Sequence, residues 1–485
     1  MVGVPGRSKA CITCRKRKKG CDLQRPSCGQ CRKACIPCGG YARERKFVNT
    51  TLQRSGVVLS PSLASSAYQV KCLDLFWGIH LPNGWSIPSE ATKQALGGSW
   101  FDTVQHLCPA DDILRKAALA ISLNTIGSMD GNKGMRDEGL RFYAEALKES
   151  AVALSSRQWK MRGDALLAAA RLFSLYEGMR GSDEEDVPIQ IRSWLAHSKG
   201  DMAIVAARSP ESYATGHAHR LFTDGRWYLA TVALRTRKRL FLSDPAWKTL
   251  PWSQHDKSPR DYLLDILVDI PSLFKELDTM GSYSNPTEEE RLRRRIWKGY
   301  LRLDRLLVDW HATHAPSEAM SPWHLDRVEI PQSITPVSLA AAHLMTLYWT
   351  TSIVLYSLVR DVFLFATSNS NQPPLQEDDR SADNDPNISC RNLIRTIPIF
   401  FHPDAGTYRV HLATFPISVA LVYLSRMVKP GEMLVERELF DSCLRKPECA
   451  TIRKFLASMR SEKAWGVYDV YQESQVEGST RLDLL

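Results

Sequence analysis

Seven of the twelve cysteines in this 485-residue chain fall between Cys11 and Cys38, and six of those seven obey a strict spacing. Cys11-x2-Cys14-x6-Cys21 is followed by Cys28-x2-Cys31-x6-Cys38, each cysteine of the second half lying 17 residues after its counterpart. A C-x2-C pair lets two thiolates converge on one ion, and structural zinc takes four such ligands in a tetrahedron. Two zinc ions need eight coordination positions, which six thiolates fill only if two of them bridge. By the symmetry of the repeat the bridges are the first cysteine of each half, Cys11 and Cys28. Six thiolates around two divalent ions leave the core at about −2. The run from Arg15 to Lys19 offsets that charge with five cations placed between the ligands.

Other uses of clustered cysteines fit less well. A disulfide scaffold belongs to an oxidising compartment, and the first ten residues, MVGVPGRSKA, lack the apolar core of a secretory signal. A chain of this length also buries an ample core without covalent staples. Paired RING or LIM sites take eight ligands, often with histidine, yet no histidine precedes His80.

Charge points the same way. Residues 1–54 carry 14 Lys and Arg against 2 Asp and Glu, which leaves 49 against 51 in the remainder. The chain's surplus of +10 therefore sits entirely in its first ninth, the electrostatic footprint of polyanion binding. The basic run is expected on a short helix fixed by Cys11 and Cys14, with zinc in place of an apolar core. Lys18, with Arg17 beside it, is placed to donate to guanine O6 and N7 in the major groove. Arg15, Lys16, Lys19, Arg32 and Lys33 are expected on phosphates, which fix register without reading sequence.

On the six cysteines, the basic run, Asp22, Pro26 and the exit Cys38-Gly39-Gly40-Tyr41, the stretch resembles the fungal binuclear zinc-cluster transcription factors. The resemblance implies two Zn2+ ions held by Cys11, Cys14, Cys21, Cys28, Cys31 and Cys38, with Cys11 and Cys28 bridging. It also implies a basic residue at Lys18 reading a CGG triplet in double-stranded DNA, and a nuclear regulator of RNA polymerase II promoters that meets the transcription machinery. Many such relatives govern metabolic or secondary-metabolite gene clusters. Two positions depart from the pattern: Gly20 stands where a lysine is common, and Cys35 is a seventh thiol where a small residue is usual, read as a non-ligand.

The domains expected are a zinc-cluster module over 1–46, a linker over 47–67, and an all-α domain over 68–485 with an acidic loop at about 370–388. No heptad run follows the cluster, so monomeric binding or a homodimer formed through the larger domain is expected rather than a zipper. Asp111–Asp112 opens one helix, stopped by Gly127. A second carries Leu140, Tyr143, Ala144, Leu147, Ala151 and Leu154 at helical spacing, and a third carries Ala165 to Tyr176. Thr287 with Glu290 reads as a capping box. The stretches Asp164–Gly178, Trp194–Tyr213 and Leu344–Leu358 resemble the fungal-specific regulatory domain, which implies effector or partner binding and carries no catalytic residues. From Ile330 to Val359 there is no charged side chain, read as a buried helix and not a membrane span.

His217 with His219, His311 with His314, and the scattered Cys72, Cys108, Cys390, Cys443 and Cys449 lack partners at metal-ligand spacing. No phosphate loop, nucleophile elbow or zinc-protease motif occurs, so the chain reads as no enzyme. The rival reading is a zinc-stabilised scaffold whose basic module meets acidic partners.

Overall fold

The computed structural model describes residues 10–41, 61–82, 89–156, 159–180, 187–280, 286–316, 331–369, 385–429 and 431–461. It divides into two compact units, residues 1–64 and 65–485. Among the described residues every regular element is helical. The first unit holds α1 (Ile12–Lys16) and α2 (Gly29–Lys33). Residues 42–60, most of the expected linker, lie outside the described residues, and α3 (Pro61–His80) begins within the span 47–67.

The second unit continues with α4 (Glu90–Leu96), α5 (Ser99–Leu107), α6 (Asp112–Met129), α7 (Lys133–Ser155), α8 (Trp159–Met179), α9 (Val187–Ala206) and α10 (Gly216–Thr236). After these come α11 (Pro245–Thr249), α12 (Pro259–Leu267), α13 (Ile270–Thr279), α14 (Pro286–His314) and α15 (Pro336–Asn369). The last four are α16 (Pro386–Thr396), α17 (Arg409–Arg426), α18 (Leu434–Arg445) and α19 (Ala450–Ser461). One side is built from α6 packed on α7 and α8, with α9 and α19 beside α8. On the other, α15 lies among α4, α12, α13, α14, α16 and α17, and one continuous apolar core joins them.

Distant parts of the chain are pinned together by backbone. Thr407 and Tyr408 N–H donate to the carbonyls of Ile79 (3.1 Å) and His80 (2.8 Å). The Tyr408 hydroxyl donates to the carbonyls of Leu96 and Gly97, 3.0 Å each. Gly406, at φ +63°, admits that approach, because a Cβ there would stand 2.5 Å from the His80 oxygen.

Asp111 caps α6 as expected, accepting from Leu114 N–H at 3.0 Å. Gly127 does not stop that helix, which runs on to Met129. It is a close-approach position instead, where a Cβ would lie 2.9 Å from the Asn132 oxygen. α14 starts at Pro286, which places Thr287 within the helix and not at its N-cap, and the Glu290 carboxylate pairs with Arg293 and Arg294. A capping box does form at Ser258 and Asp261, opening α12.

The apolar positions of α7 split. Tyr143 is buried with Phe142, Ala146 and Ala153, while Leu140, Leu147 and Leu154 remain 42, 39 and 43% exposed. Tyr143 donates to Glu177 at 2.7 Å and lies 2.6 Å from His197 Nε2. Within α15, Pro336–Leu358 is long and apolar enough to cross a membrane by length and composition, and 89% of its most apolar window is buried. Asp385, the one described residue of the acidic run Gln376–Asp385, accepts from Asn387 N–H and caps α16; residues 370–384 lie outside the described residues. The five scattered cysteines are all buried, and none forms a disulfide. Of the paired histidines, His217 turns to Thr103 and His219 to the Tyr213 carbonyl. His311 lies tilted against Tyr348, and His314 stacks on Tyr262.

Buried histidines give this unit an acid-sensitive centre. His343 on α15 is fully buried, 2.9 Å from the Ala95 carbonyl, and burial, aided by Arg260, pushes its pKa down to about 3. A group depressed in the folded state contributes stability above its unfolded pKa of about 6.5 that is lost as pH falls toward the folded value. His343→Gln should therefore flatten the pH dependence of unfolding free energy between pH 6 and 4.5 by about 1.4 kcal/mol per pH unit. Urea unfolding of both proteins across that window measures it; parallel slopes would show that His343 is already charged in the fold.

Candidate metal centre and nucleic-acid interface

The first unit has almost no hydrocarbon to bury. Its inaccessible side chains are Cys11, Cys14, Cys28 and Cys31, with Cys21, Cys38, Ile36 and Tyr41 packed around them. The two halves of the repeat build the same object twice. Cys11 caps α1 by accepting from Cys14 N–H at 3.3 Å, and Cys28 caps α2 by accepting from Cys31 N–H at 3.3 Å. Each five-residue helix then closes in a left-handed residue at the same repeat position, Lys18 and Cys35, both at φ +52°. Lys18 N–H reaches the Arg15 carbonyl as Cys35 N–H reaches that of Arg32. A left-handed turn is the place glycine favours, which accounts for the small residue expected at Cys35. Its thiol is exposed and belongs to neither sulfur group described next.

Folding the halves against each other brings six sulfurs together. Cys11, Cys14, Cys21 and Cys28 form one four-sulfur group, and Cys11, Cys28, Cys31 and Cys38 another, with all sulfurs of a group within 4.8 Å of one another. Cys11 and Cys28 are common to both. Cys11 Sγ lies 3.6 Å from Cys28 Sγ and 3.9 Å from Cys31 Sγ, and Cys14 Sγ lies 3.6 Å from Cys28 Sγ. A zinc tetrahedron with bonds of roughly 2.3 Å has sulfur–sulfur edges of about 3.8 Å, so the donor set fits the ion. Burial pushes the Cys14 thiol up and Cys31 to about 12. Backbone N–H donors hold Cys21 near 6 and Cys38 near 7. A cation in the group supplies what the two buried thiols lack for ionising.

The connecting loops are tied to the helices. Asp22 accepts from Gly29 N–H at 2.9 Å through both oxygens, and a Cβ on Gly29 would meet that carboxylate at 2.3 Å. The Arg25–Pro26 peptide is cis. Thr13 Oγ1 donates to the Pro37 carbonyl (3.1 Å) and accepts from Gly39 N–H (2.8 Å), binding the exit segment to α1. Tyr41 donates to the Gln24 carbonyl at 2.8 Å, with its oxygen 3.7 Å from Cys21 Sγ. Thr13 and Gln24 carry no motif of their own, so spacing alone did not single them out, and Tyr41 stood in the exit sequence without a bracing role read from it.

All seven cations expected to face DNA are exposed: Arg15, Lys16, Arg17, Lys18, Lys19, Arg32 and Lys33. The first five follow one another through the end of α1 and its left-handed turn. Arg32 Nη2 donates to Gln24 Oε1.

Residues 9–46 match the fungal Zn(2)-Cys(6) binuclear cluster domain. Over 39 residues the chain is 54% identical to Arginine metabolism regulation protein II of Saccharomyces cerevisiae, a stretch covering 7% of this chain and 4% of that protein. No solved structure matches the chain. The N-terminal unit is thus a zinc-binding cluster domain of this type, and the large helical domain stands outside the matched residues.

Proposed function

We propose that this chain is a zinc-dependent, sequence-specific DNA-binding transcription factor that acts in the nucleus on RNA polymerase II promoters. The observation that carries the reading is a sulfur cluster ringed by exposed cations in a chain whose remainder has no surplus positive charge. Two zinc ions fill the two sulfur groups, and Cys11 and Cys28 bridge them. Lys18, held outward at the end of α1, donates to guanine O6 and N7 of a CGG-type triplet with Arg17 beside it. Arg15, Lys16, Lys19, Arg32 and Lys33 contact phosphates. The helical domain is the regulatory part that meets the transcription machinery, and metabolic genes are its field of action.

A homodimer forms through α7. Leu140, Ala144, Leu147, Ala151 and Leu154 make an exposed stripe at alternating steps of four and three, the seam period of a coiled coil. Laid antiparallel on its own copy, the seam sets Leu140 over Ala151 of the second copy and Leu147 over Ala144, with Leu154 beyond the leucine–alanine layers, opposite position 137. Glu138, Arg141, Glu145 and Lys148 alternate in sign along the flank, where Arg141 pairs with Glu138 and Glu145 of its own helix. A single helix face buries less than a standard interface of roughly 1,600 Å², which makes the association weak and concentration-dependent.

Three measurements test this. Metal analysis of the full chain should return two zinc ions, unchanged in Cys35→Ser and reduced by more than one ion in Cys11→Ser; loss of a single ion would remove the bridge. Lys18→Ala should cost about 1–3 kcal/mol on CGG-containing duplexes and less on scrambled ones in a salt-titrated shift assay, whereas equal loss on both makes Lys18 a phosphate contact only. Sedimentation equilibrium should show a dimer that Leu147→Glu abolishes and Met161→Glu, on exposed α8 surface, does not; equal behaviour of the two variants rules out the α7 seam.

A further inference from the structure

The helical domain holds a cavity of about 500 Å³, within the roughly 300–1,000 Å³ of sites that take small organic molecules. Its walls come from α8, α9, α10, α13, α15, α17 and α19, so it belongs to the assembled domain and to no single helix. Two properties of those walls decide what can stay there: how the aromatic rings stand, and what the hydroxyl groups are already doing.

The rings stand in perpendicular pairs. Trp227 of α10 meets Phe415 of α17 at 5.0 Å between centroids and 87°, and Trp194 of α9 meets Phe455 of α19 at 5.6 Å and 75°. A perpendicular pair offers a third ring one face and one edge, the contacts that aromatic quadrupoles favour. A saturated molecule of the same outline fills the same space but gains only burial and dispersion.

The hydroxyls of the wall have given away their protons. Each serine and threonine among the lining residues donates to a carbonyl three or four residues back on its own helix. Ser174 serves Ala170 (3.3 Å), Thr231 serves Trp227 (2.9 Å) and Thr236 serves Val232 (2.8 Å). Ser357 serves Ile353 (2.8 Å), Ser418 serves Phe415 (2.7 Å), and Thr414 serves Val410. Tyr228 and His411 share a hydrogen bond at 2.6 Å. Burial raises the tyrosine's pKa and lowers the histidine's well below its usual value, so neither carries charge. The Asp278 carboxylate is held by Arg237 Nε at 2.8 and 2.9 Å. A sugar or nucleotide entering here would leave water and find no serine or threonine donor for its many acceptor oxygens, a loss that an apolar wall does not make good.

We infer that this cavity is a binding site for a flat aromatic small molecule with few polar groups, its rings set against the Trp227–Phe415 and Trp194–Phe455 pairs. The apolar area supplies affinity, and the perpendicular rings select aromatic over saturated bodies.

Fluorescence titration of the zinc-loaded full chain with N-phenyl-1-naphthylamine, an uncharged aromatic dye that brightens in apolar surroundings, tests this without DNA and so independently of the DNA-binding reading. Saturable binding at one dye per chain is expected. 2-Naphthol should displace the dye at least about fivefold more effectively than decahydro-2-naphthol, its saturated counterpart; both are uncharged near neutral pH, so the comparison turns on the rings. Maltose should displace none. Phe415→Leu, which keeps the bulk and removes the ring, should at least halve the preference for the aromatic alcohol. Ser418→Trp, which fills the chamber, should abolish dye binding, and Val354→Phe serves the same purpose if the first variant does not fold. Absence of saturable dye binding, equal displacement by the two alcohols, displacement by maltose, a preference untouched by Phe415→Leu, or binding unchanged in a folded chamber-filled variant would each overturn the assignment.

Discussion

Everything the N-terminal unit does depends on six sulfur atoms being forced together where an apolar core would otherwise stand. A segment of this size cannot bury enough hydrocarbon to offset the conformational entropy of ordering its backbone. Its buried centre is Cys11, Cys14, Cys28 and Cys31, and sulfur–sulfur separations of 3.6–3.9 Å are tolerable for thiolates only with cations between them. Metal binding and folding are then a single equilibrium. The surrounding hydrogen bonds, from Asp22 to Gly29, Thr13 to the exit loop and Tyr41 to Gln24, fix the loops around a centre the metal has already defined.

The repeat explains the geometry, and the break in the repeat explains the polarity of the surface. Both halves share the thiolate cap, the five-residue helix and the left-handed closing residue. They differ in what they display. The first half runs Arg15, Lys16, Arg17, Lys18, Lys19, while the second runs Arg32, Lys33, Ala34, Cys35, Ile36. Two equal backbones therefore present unequal charge, and the half built on α1 is the one a polyanion meets with more force. Lys18 and Cys35 are the sharpest contrast, since the same strained turn carries a donor in one half and a thiol in the other.

How much of this could be read in advance follows from what kind of information a spacing holds. The cysteine register, the Asp111 cap and the buried run of α15 were legible because each is local: a ligand interval, a hydrogen bond three residues long, a stretch without charge. Periodicity marks the apolar face of a helix but not which part of that face finds a neighbour. Hence Tyr143 is buried while Leu140, Leu147 and Leu154 on the same helix are not. Gly127 looked like a terminator because glycine often is one, yet its job is to let Asn132 and Met135 approach. The start of α14 falls one residue before Thr287, at Pro286, whose fixed φ suits the first helical position. The cavity was illegible for the plainest reason: its walls come from segments spread from Ser174 to Phe455.

The two units divide the physical work in a way that bears on how selectivity arises. A cluster domain with this charge attracts any duplex, and much of that attraction is phosphate-driven and falls with salt. A single triplet adds only the energy of a few base contacts, each about 1–3 kcal/mol, too little to distinguish one promoter from a genome of competing sites. The helical unit adds no positive surplus of its own, so it cannot sharpen recognition electrostatically. Under the proposed dimerisation it adds a second reader: the second triplet contact becomes an intramolecular event, and affinity multiplies wherever two triplets stand at the right separation. On that logic a feeble dimer serves better than a strong one, because pairing on DNA becomes conditional on the site.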